Sequence, residues 1–118
     1  MKNLLLWLSF FSTFVYADKY APLYFSGNCI TCHYINETIS APSIIDVKKR
    51  YLSAFPQKKD FVKYMSVWVH KPKEETSLMH DAIAKHEIMP ELAFDLNTLE
   101  IISAYIYETD FTKFPSRP

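Results

Sequence analysis

Residues 29–33 read Cys29-Ile30-Thr31-Cys32-His33, "CITCH", and they hold both cysteines of a 118-residue chain. Four chemistries use a cysteine pair at this spacing. Covalent haem attachment needs two sulfurs on one helical turn, each adding to one vinyl group of the same porphyrin, while the next residue, His33, ligates the iron. The spacing is short because three bonds from one turn must converge on one flat molecule. A thioredoxin-like dithiol needs a βαβ setting and a helix N-terminus that lowers the first thiol's pKa. Zinc would take Cys29, Cys32, His80 and His86, across an interval from Cys32 to His80 far longer than a zinc finger allows. A disulfide closing so small a loop would stabilise little.

The N-terminus favours haem among these. Residues 1–17 carry one charge, Lys2, then an apolar run over 4–14, then Val15-Tyr16-Ala17. This is the pattern of a signal peptide cut between Ala17 and Asp18, leaving a domain over 18–118. The run falls short of the roughly 20 apolar residues that span a bilayer, which makes an uncleaved anchor the lesser alternative. In both cases the body of the protein is exported, to a periplasmic location, and c-type haem is attached outside the cytoplasm.

Charge excludes a nucleic-acid partner, because 13 basic and 13 acidic residues leave no excess to hold a phosphate backbone. With one glycine, Gly27, and no Asn-Gly or Asp-Gly hairpin signal, the domain reads as all-α. Helices are expected over 20–33 and 44–55, the second ended by Pro56. Phe61, Met65, Trp68 and Val69 recur at helical spacing in a third, closed by Pro72. A fourth over 74–85 opens on acidic residues that suit the positive helix start. In the last, Asn97 and Glu100 form a capping box, and Leu99, Ile102, Tyr105 and Ile106 share one face. Four to five short helices would give a small core, which a planar apolar group bound in their midst would enlarge.

The iron's sixth position separates an electron carrier, in which it is filled, from a gas sensor or peroxidase, in which it is open. Met65 lies on an apolar face and reads as core, whereas His70, His80 and His86 stand among Lys and Glu and read as solvated. Met89 is followed by Pro90, which fixes the backbone beyond the sulfur, in a non-periodic segment over 87–96. Met79 and the histidines remain alternatives.

In this order, haem motif, then Met89-Pro90, then Ser103-Ala104-Tyr105-Ile106 in a terminal helix, the chain resembles the class I monohaem cytochromes c over nearly all of residues 18–118. The resemblance implies a cytochrome c-like bundle of four to five helices around one covalently bound haem c, held by Cys29 and Cys32 and ligated by His33 and Met89. It implies that the first and last helices cross, with Phe25, Ile102 and Tyr105 at the contact and Ala21 where the family has glycine. It implies that the Pro42 carbonyl accepts a hydrogen bond from His33. Trp68, Lys63 and Tyr64 become candidates for hydrogen bonds to the haem propionates. The implied function is electron transfer without bond chemistry, between a donor and an acceptor protein, with a membrane-associated partner complex as one setting. The alternative is a haem sensor or small peroxidase with a displaceable sixth ligand. The basic clusters Lys48-Lys49-Arg50 and Lys58-Lys59 read as a solvated face more than as a docking surface.

Overall fold

The computed structural model describes residues 18–115, so the expected leader over residues 1–17 lies outside the described residues. The regular elements of the described residues are all helical: α1 (Ala21–Asn28), α2 (Ile44–Ala54), α3 (Lys58–His70), α4 (His80–His86) and α5 (Leu96–Glu108), with 3-10 turns at Glu74–Thr76 and Phe111–Lys113. No helix among the described residues is long and apolar enough to cross a membrane.

The core forms where apolar residues at helical spacing face α5. Leu99, Ile102, Ser103 and Ile106 line its buried side, and the Ser103 hydroxyl donates to the Leu99 carbonyl at 2.7 Å, so the buried polar group is satisfied. Phe61 and Met65, one turn apart on α3, are buried with them. Tyr51 of α2 meets Phe61 edge-on at 5.7 Å, and Phe61 in turn meets Tyr107 at 5.1 Å. From the other side α1 inserts Phe25, with its ring 5.3 Å from Tyr105 and 5.4 Å from Phe111. Geometries of this kind add to area burial through the ring quadrupoles. The expected contact of the first and last helices is therefore made, with Phe25, Ala21 and Ile102 all buried.

Three boundaries differ from the sequence reading. The first helix ends at Asn28 instead of running to residue 33. Asn28 turns its side-chain amide back onto the Tyr24 carbonyl at 2.8 Å, and β-branched Ile30 and Thr31 follow, which weakly favour helix. The expected fourth helix is broken in two. Its acidic start forms the 3-10 turn, after which Ser77 is buried and Leu78 packs on the core before α4 begins. Burying those two side chains displaces the chain from a single helical path. The last helix is capped by Asp95, not Asn97: its carboxylate accepts from the Thr98 amide at 2.7 Å. Asp95 also places negative charge at the helix start, and the bonds to Thr98 hold its carboxyl below the usual range.

Glu87, just past α4, has φ 72° and ψ 170°. Only glycine adopts that region without strain, at a cost of about 1–3 kcal/mol for other residues. Part of this is offset by glycine's greater freedom in the unfolded chain. Glu87→Gly is therefore expected to raise stability by about 1 kcal/mol, seen as a higher urea midpoint at unchanged slope.

Candidate functional site

Cys29, Cys32 and His33 lie on one closed turn directly after α1. The Cys29 amide still donates to the Phe25 carbonyl at 2.9 Å, so the turn is continuous with the helix that carries the buried Phe25. The Cys29 carbonyl then accepts from the Cys32 amide at 3.3 Å and from the His33 amide at 2.9 Å. The second of these spans four residues, the spacing of an α-helical bond. Although the regular helix stops early, the backbone of residues 29–33 thus stays wound in one turn, which carries both cysteines and His33.

The loop that follows fixes the imidazole. His33 Nδ1 lies 2.7 Å from the Pro42 carbonyl oxygen. A carbonyl can only accept, so the proton is on Nδ1 and the lone pair of the neutral ring is on Nε2. Two further bonds hold the loop in register: the Ile44 amide donates to the Tyr34 carbonyl at 2.9 Å and the Ile45 amide to the Ile35 carbonyl at 3.1 Å. Beyond them the Ser43 hydroxyl caps α2 through the Asp46 amide. Pro42 is consequently anchored to the start of α2, and His33 to Pro42. Burial lowers the pKa of His33, opposed by its bond to Pro42. A neutral imidazole is the ligand form.

The same geometry separates the competing chemistries. Both cysteines are free thiols, Cys29 half-buried and Cys32 exposed. Burial pushes the Cys29 thiol up to about 11. A redox-active dithiol needs the opposite shift, and this pair stands at the C-terminal end of α1, where the helix dipole disfavours a thiolate. Among the described residues no three His, Cys, Asp or Glu side chains gather as a metal site, so the zinc set with His80 and His86 is not assembled. A haem needs fewer side-chain ligands, with one imidazole and one thioether completing its iron. The two free thiols on one turn and the fixed tautomer of His33 fit covalent haem attachment.

The other candidates are dispersed. Met89 is half-buried in the segment 87–95 between α4 and α5, outside the hydrophobic cluster of the described residues. Met79 stands at the N-cap of α4, not on its packed face, and shares with Pro42 and His86 a cleft of about 490 Å³ between α2 and α4. Met65 is buried in the core, as its position on the apolar face of α3 implies. The two aromatic propionate candidates are engaged elsewhere: Trp68 Nε1 donates to the Lys73 carbonyl at 2.9 Å and the Tyr64 hydroxyl to the Thr76 carbonyl at 2.6 Å. Both bonds serve the 3-10 turn, whose carbonyls lie over α3, while Lys63 is exposed.

The basic clusters are divided in the same way. Lys48 donates to the Thr109 carbonyl and lies 5.7 Å over the Phe111 ring, tying the C-terminal turn to α2. Lys58 pairs with Glu108, and Arg50 with Asp81. Lys49 and Lys59 remain on the surface. Arg50 is thus engaged with a partner 31 residues away, a pairing that no local spacing points to and that the solvated-face reading did not include. Against known protein families, curated proteins and solved structures the chain shows no match, so the chemistry of the site rests on the turn at 29–33 and its bond to Pro42.

Proposed function

We propose that this chain is an exported one-electron carrier, a monohaem c-type cytochrome. It would hold haem c through Cys29 and Cys32, with His33 and Met89 as axial ligands. The observation that carries the reading is the single backbone turn that bears Cys29, Cys32 and His33, together with the Pro42 carbonyl that holds the imidazole's proton on Nδ1. When bound, the haem supplies an iron that exchanges a single electron between its ferric and ferrous states. The chain's own contribution is orientation. Cys29 and Cys32 would hold the group from one turn, and the Pro42 bond fixes the direction of the Nε2 lone pair and raises its basicity. Ligation by the Met89 thioether as well as His33 would favour the reduced state and raise the potential. With ligands supplied by side chains in both oxidation states, little of the chain rearranges on electron transfer. Its partners would be a donor and an acceptor protein, with a membrane-bound complex as one setting.

A spectroelectrochemical titration of the exported protein tests this reading. The expected result is a reversible one-electron couple and a ferric spectrum with the weak red band of sulfur–iron ligation. A ferric protein without that band, binding carbon monoxide rapidly once reduced, would replace the carrier by a sensor or peroxidase.

A further inference from the structure

We propose that Arg50 is a positioning residue for Met89, acting through α4. The geometry stands apart from the haem reading; only its consequence for the iron rests on that reading. α4 has seven residues and none of them is buried, so it lacks the apolar face that fixes the other helices. Its N-terminal approach is anchored by buried Ser77 and by Leu78 on the core. Arg50, on α2, supplies the rest. Nη1 donates to the Leu78 carbonyl and to Asp81 Oδ1, and Nη2 donates to Asp81 Oδ2, all at 3.0 Å.

Asp81 lies in the first turn of α4, so a planar fork grips both oxygens of a carboxylate there and sets the helix's rotation as well as its distance. An exposed ion pair alone fixes little. Here the same guanidinium also holds the backbone at Leu78, and among the described residues it forms the one ion pair between α2 and α4. Lys49, Lys85, His86 and Asp46 face the same cleft without replacing it. At the other end of α4, Glu87 is held in a glycine-favoured conformation, which persists only while its surroundings impose it. Met89 follows at once, on a segment whose far end is fixed by the Asp95 cap of α5. Releasing the fork lets α4 turn, relaxes Glu87 and slackens the segment that carries Met89.

The test compares wild type with Arg50→Gln, which loses charge and fork, and Arg50→Lys, which keeps charge alone. In the exported, haem-bearing protein, hydrogen exchange at the α4, Ile88 and Met89 amides should accelerate at least tenfold in Arg50→Gln and less in Arg50→Lys. The α3 and α5 amides should not change, showing that the fold is retained. The Met89 methyl resonance should shift, and the sulfur–iron band should lose more than half its intensity. Unchanged exchange at Ile88 and Met89 overturns the proposal, as does accelerated exchange with the band intact. A wild type that lacks the band defeats the haem-ligand reading instead, and exchange with the methyl resonance then decides the role of Arg50.

Discussion

A Cys29→Ala, Cys32→Ala double variant is expected to be exported without haem and to lose most of its cooperative folding. Neither substitution removes much packing by itself, since Cys32 is exposed and Cys29 half-buried. The effect comes from the tether. A group bound only by the native state stabilises it in proportion to the logarithm of its concentration over its dissociation constant, about 4 kcal/mol at a thousandfold excess. A covalent tether keeps the local concentration high at any dilution. Small domains have only about 5–15 kcal/mol in total, so this loss leaves the chain marginal. Circular dichroism on heating should show a broad, early transition in place of a sharp one. A haem-free variant that melts as cooperatively as wild type would show that the cluster around Phe25, Phe61 and Ile102 suffices alone.

The second large effect is expected on the opposite side of the iron. Met89→Ala should abolish the red sulfur–iron band and lower the potential by on the order of 0.1 V, within the roughly 0.8 V that axial ligands span. Carbon monoxide and cyanide should then bind more readily. Met79→Ala should leave all three properties nearly intact. Met79 stands at the N-cap of α4 and lines the cleft that Pro42 also lines, and the Pro42 carbonyl binds His33 Nδ1, the nitrogen that would not ligate iron. The reverse outcome would move the ligand to Met79 and keep the carrier reading. Silence of both variants, with rapid carbon monoxide binding by wild type, would favour the sensor or peroxidase.

What could be read from the residues alone follows the range of the interactions involved. The helices α3 and α5 lie close to where the spacing of Phe61 and Met65, and of Leu99, Ile102 and Ile106, puts them, and α2 ends just before Pro56 as expected. The His33–Pro42 bond was implied by resemblance, and no spacing rule yields it. The split near Ser77 was illegible because it depends on Leu78 reaching a core built by distant segments. The cap at Asp95 was missed because Asn97 and Glu100 satisfy a local pattern equally well, and the structure starts the helix earlier. Arg50 reads from the sequence as one residue of a solvated basic cluster, and its pairing with Asp81 was illegible, since a salt bridge across 31 residues leaves no periodic trace.

The central claim is that Cys29 and Cys32 tether one haem, and intact-mass spectrometry of the exported protein after acid–acetone extraction tests it most directly. The predicted result is a single species at the mass of residues 18–118 plus one haem, shifted by the leader's mass if residues 1–17 are retained. A colourless protein at the bare polypeptide mass, with both thiols open to alkylation, would contradict it.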